Sequence, residues 1–306
     1  MVGFSATISL TFNSKTMTDT SFEIPQKFEL IVTKAEQTAL DLLAEGSGLS
    51  KQRIKDAMNK GCVWWTLKGK TLRLRRATKV LLKGSRVEFF YDEQVLSRKP
   101  EAPQLIHDAN RYSIWYKPKG MLAQGSQWGD HCSILRWVEV NGESLYGKNR
   151  EYGKKRDCFL VHRLDADASG LMLIGHDSQS AAKLSLLFQG RDIKKYYQAW
   201  VVGDCRLPEK GMTLDYELDG KNAVTHIKKI GSSQTATLLD VHIETGRKHQ
   251  IRRHLANFGH PIVGDKLYGA KSNSGLQLLA YRLEFVCPVT QQLLVIELDP
   301  ALQLQL

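Results

Sequence analysis

From Tyr112 onward the chain is cut into short apolar segments that suit strands and are too brief for helices. They read "YSIWYK", "GLMLIGH", "KYYQAWVVG", "ATLLDVHIE", "LEFVCP" and "LLVIELD". At least two stretches between them carry helical spacing. "DSQSAAKLSLLFQG" offers Asp177 as N-cap, Ala181, Leu184, Leu187 and Phe188 on one face, and Gly190 as a stop. "HQIRRHLANFGHP" turns Ile251, Leu255 and Phe258 inward and ends at Gly259 and Pro261. Many strands with few helices predict an α+β domain over residues 109–306. Its sheet is expected to be mixed or antiparallel, flanked by helices and loops.

A different pattern precedes it. "TALDLLAEGSGLSKQRIKDAMNKG" predicts two short helices, the second capped by Ser50, with Ile54, Ala57 and Met58 on its apolar side and Gly61 as its stop. "CVWWTL" and "RVEFFY" predict strands. Residues 26–95 therefore read as a small α/β domain, and "LSRKPEAPQLIHD", residues 96–108, as a linker. The net charge of +11 lies in this front domain. Between Lys51 and Arg86 twelve Lys or Arg residues face one acid, Asp56, and the rest of the chain balances at 31 of each sign. Such a localised excess suits a polyanion partner as well as it suits a solvated basic face.

No apolar run reaches the roughly 18 residues of a membrane span, and residues 1–25 lack signal-peptide character and read as a flexible tail. The five cysteines are widely spaced with no C-x-x-C pair. That speaks against a zinc site or a disulfide framework and fits a cytoplasmic protein.

Three peptides stand out chemically. "VHRLDADASGLML" carries Arg163, Asp165 and Asp167 between residues that prefer burial. If extended, the three charges share a face, so a carboxylate can be aimed into a cleft. The spacing also suits a glycosidase-like carboxylate pair, and a plain surface turn explains it equally well. "ETGRKHQIRRHLANFGHPIVGDKLYG" gathers Arg247, His249, Arg252 and Arg253 around a helix start, a setting for an anion. "KKYYQAWVVG" sends Tyr196 and Tyr197 to opposite faces of a strand, where one ring is either core or a platform for a base.

Together these peptides resemble the RluA family of pseudouridine synthases, from about Tyr112 to Leu298. The motifs are "HRLD" with a following "SGL", and "GRKHQIRRHL" with "GHPIVGDKLYG". The front segment, "LDLLAEGSGLSKQRIKDAMNKGCV" with "LKGSRVEFF", resembles the RNA-binding domain named for ribosomal protein S-four. The resemblance implies isomerisation of uridine to pseudouridine within RNA, without cofactor or metal. It assigns Asp165 as nucleophile or base, Tyr197 as the ring stacked on the flipped uracil, and Arg252 as the partner of Asp165. Arg163 would fill the space the base leaves. His162, Arg247 and His249 would line the substrate site, with Lys51, Arg53 and Lys55 gripping RNA from the front domain. Asp167, Ser169 and Gly170 would form the supporting turn. Flipping costs a few kcal/mol, which stacking offsets.

The chain departs from the family pattern at Ala168, where Thr is usual, at "LLA" (Leu278 to Ala280), which lacks a histidine, and at "CPVTQ" with Cys287. The expected target is ribosomal RNA, with transfer RNA as the alternative, handled by a cytoplasmic monomer with no membrane contact. The rivals are a non-catalytic RNA-binding assembly factor and a nucleoside or glycoside hydrolase.

Overall fold

The computed structural model describes residues 24–147, 155–269 and 274–305. Apart from Ile24 and Pro25, the expected tail lies outside them. The chain divides into two compact units. The first takes the described residues up to Ser97 together with Gln127–Gly129, and the second takes the remainder.

In the first unit β1 (Gln26–Ile31), β2 (Val63–Leu67), β3 (Lys70–Arg73) and β4 (Arg86–Tyr91) form an antiparallel sheet in the order β1-β4-β2-β3. The helices α1 (Ala39–Ser47) and α2 (Lys51–Asn59) follow β1, and a short α3 (Glu93–Leu96) follows β4. Leu42, Leu43, Ile54, Ala57 and Met58 pack with Val87 and Phe89 in one core. Burying each such Leu or Ile contributes about 1.5–3 kcal/mol. Ser50 precedes α2 as expected, but its side chain makes no cap hydrogen bond. The basic helix is partly neutralised. Lys51 pairs with Asp41 at 2.8 Å, Arg53 with Glu93, and Lys60 with Asp56. Lys55, Lys68, Lys70 and Lys83 have no carboxylate partner among the described residues, so much of the unpaired charge lies on the strand turns.

The second unit is built on one large sheet. Its strands are β5 (Gln104–Asp108), β6 (Tyr112–Lys117), β7 (Phe159–Leu160), β8 (Ser169–Gly175), β9 (Lys194–Val202), β10 (Met212–Asp215), β11 (Val224–Ser232), β12 (Ala236–Ile243), β13 (Leu278–Val286) and β14 (Leu293–Glu297). The order is β10-β11-β12-β9-β13-β8-β6-β5, with β14 beside β13 and β7 beside β8. All these pairs are antiparallel except β13 with β8, so the sheet is mixed, as the strand-rich pattern predicts. The helices α4 (Ile134–Asn141), α5 (Glu143–Tyr146), α6 (Ser178–Gly190) and α7 (Gln250–Asn257) complete the α+β unit. One core holds Tyr197, Leu164, Ile243, Ile251 and Leu255, and another packs α6 through Ala181 and Leu184 against Leu171, Leu173 and Leu283. No helix among the described residues is long and apolar enough to cross a membrane.

Three expectations need correction. The segment read as linker ends in a strand, because β5 pairs with β6 from Gln104 onward. A bulge between Leu105 and His107 shifts its register, which erased the two-residue alternation a strand would show. The stop of α6 is Arg191, in the left-handed region at φ 65°, rather than Gly190. Finally, the polar and basic strands β10 and β11 were absent from the apolar pattern because many of their side chains are exposed.

Two buried features hold β8 in place. Gly170 sits at φ +121°, opposite Ala280 where β8 meets β13 in parallel, and a Cβ there would lie 2.2 Å from the Ala280 carbonyl oxygen. Behind β6 a hydrogen-bond chain runs without a break. The Trp115 indole donates to Ser113 Oγ at 2.6 Å, Ser113 donates to His176 Nε2 at 2.7 Å, and His176 Nδ1 donates to the Asp157 carbonyl at 2.8 Å. Only a neutral His176 fits this order of donors.

Gly170→Ala is expected to lose about 3 kcal/mol or more of stability, through forbidden backbone and steric overlap together, measurable by urea unfolding. His176 supplies a pH test. Burial pulls its pKa from 6.5 down to about 4. Between those values the unfolded chain binds the proton and the folded chain does not, so stability falls as pH falls. His176→Gln should be less stable than the native chain at pH 7. That gap should narrow below pH 6.5 by up to about 1.4 kcal/mol per pH unit. A gap independent of pH rejects the assignment.

Candidate active site

The segment carrying Arg163, Asp165 and Asp167 is neither strand nor free surface loop. It is an irregular stretch closed by a turn, in which the Ala168 N–H donates to the Asp165 carbonyl at 3.2 Å. β8 starts directly after it at Ser169. What fixes the turn is Lys117, the last residue of β6 and fully buried. Its ammonium approaches the carbonyls of Ala168 (2.6 Å), Met121 (2.8 Å), Ala166 (3.1 Å) and Pro118 (3.1 Å). Burying an unpaired ammonium costs several kcal/mol, and these carbonyl dipoles offset that cost. Burial pulls the Lys117 pKa down to about 7, while the nearby Asp167 and Asp165 charges pull it back up. The Asp167 side chain, expected to support the turn, makes no hydrogen bond among the described residues and is exposed.

Asp165 keeps 30% of its side-chain surface exposed. Its Oδ2 accepts from Arg252 Nη1 at 3.3 Å, and its Oδ1 lies 3.8 Å from His249 Nε2. Arg252 is 4% exposed, and the rest of its guanidinium is committed elsewhere. Nε and Nη2 each donate at 2.7 Å to the two oxygens of Asp265, which is fully buried. Asp265 Oδ1 also accepts the Leu267 and Tyr268 N–H groups at 2.9 and 3.1 Å. The Tyr268 ring faces the guanidinium, 5.3 Å from centroid to carbon. This bidentate pair orients the planar cation so that its remaining nitrogen points at Asp165. The Asp265 bonds are the main cause of the raised Arg252 pKa.

His249 caps α7 in the left-handed region at φ 53°, an uncommon conformation for a side-chain-bearing residue and one found at functional sites. Its Nδ1 lies 3.0 Å from the Tyr268 hydroxyl. Burial lowers its pKa and Asp165 opposes that shift. Tyr197, on β9, is 9% exposed. Burial raises the pKa of its hydroxyl, and the Asp165 charge raises it further.

These groups meet in a cleft of about 120 Å³ lined by Arg163, Asp165, Tyr197, Arg247, His249 and Arg252, among others. Of the expected residues, Asp165, Tyr197, Arg252, Arg163, Arg247 and His249 therefore come together. Arg163 is exposed, with no hydrogen-bond partner among the described residues. Arg247 donates to the Asn222 carbonyl at 3.0 Å. His162 borders an adjoining cleft, yet its ring is tied up structurally. It stacks on Phe188 at 4.2 Å, and its Nε2 accepts the Leu173 N–H at 2.9 Å. Burial lowers its pKa to about 3, so the ring is neutral. Lys51, Arg53 and Lys55 lie in the other unit. Lys117, Asp265 and Tyr268 were missed as site residues. The last two sit inside the "GDKLYG" peptide already singled out, while Lys117 has only the unusual "YKPKG" strand end as a signal. No cluster of potential metal ligands occurs among the described residues.

Comparisons with known proteins identify the family. Residues 111–257 match the RNA pseudouridylate synthase family. An RNA pseudouridine synthase named YhcT, of Bacillus subtilis (strain 168), is 30% identical over 243 residues, covering 71% of this chain and 76% of that protein. Ribosomal large subunit pseudouridine synthase D of Buchnera aphidicola subsp. Schizaphis graminum is 30% identical over 250 residues, with the same coverage of 71% and 76%. A solved structure, human RNA pseudouridylate synthase domain containing 4, shares the fold with a TM-score of 0.52 at 22% identity, over 64% of this chain and 88% of that one. The chain belongs to the RNA pseudouridine synthases, the enzymes that isomerise uridine to pseudouridine.

Proposed function

We propose that the reaction is carried by Asp165, acting as nucleophile or base on a uridine flipped out of structured ribosomal RNA. The observation that carries this is the half-exposed Asp165 carboxylate, held at 3.3 Å by an arginine whose other nitrogens are fixed. The guanidinium positions the carboxylate and leaves one face of it open to the cleft. The carboxylate is therefore ready either to attack the anomeric carbon or to take a sugar proton. Tyr197 supplies a ring for the uracil to stack on, and Arg163, without a hydrogen-bond partner among the described residues, fills the vacated base stack. Arg247 and His249 line the pocket around the sugar, with His162 packed behind. Ribosomal RNA is favoured over transfer RNA because relatives carry the name ribosomal large subunit pseudouridine synthase D. The basic first unit, with Lys51, Arg53, Lys55 and the turn lysines, acts as a separate RNA grip of the kind named for ribosomal protein S-four. It reads shape and phosphates rather than bases. The enzyme works as a monomer in the cytoplasm.

Asp165→Asn is expected to abolish pseudouridine formation in ribosomal RNA while leaving RNA affinity within a few-fold of the native chain, as measured by mass-shift mapping and filter binding. Retained turnover sinks the assignment. Deleting the residues before Pro100 should weaken RNA binding and flatten its dependence on salt. If neither changes, the charge between Lys51 and Arg86 is a solvated face.

A further inference from the structure

A second cleft, of about 700 Å³, runs from Asp165, Tyr197 and His249 to Ser185, Phe188 and Gln189 on α6. Its walls carry five cations, Arg163, Arg191, Lys195, Arg247 and Lys248, and two carboxylates. One carboxylate, Asp165, faces Arg252, and the other, Glu244, is taken by His226 at 2.8 Å. Neither forms an ion pair with Arg191 or Lys195 among the described residues.

Lys195 is the anomaly among them. It lies on β9 between Ile243 of β12 and Leu283 of β13, and only 9% of it is exposed. It has no hydrogen-bond or ion-pair partner among the described residues. The charge felt most by its ammonium is Arg191, a repulsive one. Burial and that repulsion together lower its pKa. The backbone at Gly246 leaves the ammonium room, since even a Cβ there would stay 3.9 Å from Nζ. The contrast with Lys117 is direct: that ammonium is tied to four carbonyls, while the Lys195 ammonium makes no hydrogen bond among the described residues. The Lys195 stem is buried and its ammonium opens into the cleft, where an anion can supply the charge that the protein does not.

We propose that Lys195, with Arg191 beside it, binds a backbone phosphate of the RNA next to the isomerised uridine. The cleft runs on from the reacting carboxylate, so a strand whose uridine lies over Tyr197 carries its neighbouring phosphodiester into this arm. The ammonium gives the anion a point charge. The exposed Arg191, whose left-handed conformation closes α6, adds a second. The buried stem limits where the ammonium can reach, which makes the contact sensitive to the register of the strand. The site would thereby help select which nucleotide reaches Asp165, and this inference rests on the reading of Asp165 as the reacting group.

The test compares the native full-length chain with Lys195→Met and Lys195→Arg. Met keeps the buried stem and removes the charge, and thermal midpoints establish that both variants fold. Binding to a ten-nucleotide oligouridylate is followed by anisotropy across a potassium chloride series. Loss of one phosphate contact on a single strand should make the plot of log affinity against log salt shallower by about 0.7 in Lys195→Met. Lys195→Arg should restore the slope. In pseudouridine formation on ribosomal RNA, Lys195→Met should raise KM about tenfold, with a smaller effect on kcat. An unchanged slope in Lys195→Met overturns the proposal, because a purely structural lysine would not move it. A native chain whose binding shows no salt dependence overturns it as well. Turnover surviving in Asp165→Asn would reject the catalytic reading while leaving the slope comparison intact, so the two failures are separable.

Discussion

The site depends on one guanidinium divided between two carboxylates. Asp265 is buried and saturated, with two Arg252 nitrogens and two backbone N–H groups on it. It balances the arginine and fixes its plane. Asp165 receives only the third nitrogen, at a longer 3.3 Å, and keeps part of its surface open to the cleft. The asymmetry separates the roles. One carboxylate fixes the arginine, and the other stays open to the cleft. A lone Arg252–Asp165 pair would be mobile, and a symmetric one would hold both carboxylates equally.

The same economy governs the opposite wall. The turn that carries Asp165 has few side-chain anchors of its own. Lys117 reaches it from the end of β6 and gathers carbonyls from both segments, so a single buried ammonium replaces a set of local hydrogen bonds. The two buried cations bracket Asp165. Lys117 works through the backbone that bears it, and Arg252 through its carboxylate.

The sequence was most readable where the constraint is local. Short apolar runs marked most strands of the large sheet, Asp177 accepts from the Ser180 N–H as an N-cap should, and Ile251 with Leu255 faces the core. The motif peptides also brought Asp165, Tyr197 and Arg252 to one cleft. What escaped was non-local or locally irregular. The β5 bulge hid a strand, and no pattern foretells that β13 inserts between β9 and β8. Lys117 belongs to the site only through carbonyls as far away as Ala168. Asp167 looked equivalent to Asp165 along the chain. The turn geometry separates them, exposing one and aiming the other at Arg252.

The position of β13 has a consequence for synthesis. Before that strand arrives, the sheet is two pieces: β10-β11-β12-β9 on one side, and β8-β6-β5 with β7 on the other. Tyr197 belongs to the first piece, and Arg252 follows directly from its strand β12. Asp165 and Lys117 belong to the second. Neither piece holds all the residues that line the cleft, and each shows an open strand edge until β13 pairs with it. Until β13 has been made and paired, Asp165 and Arg252 are carried on separate pieces of sheet. The cleft is then completed in one pairing event rather than by degrees.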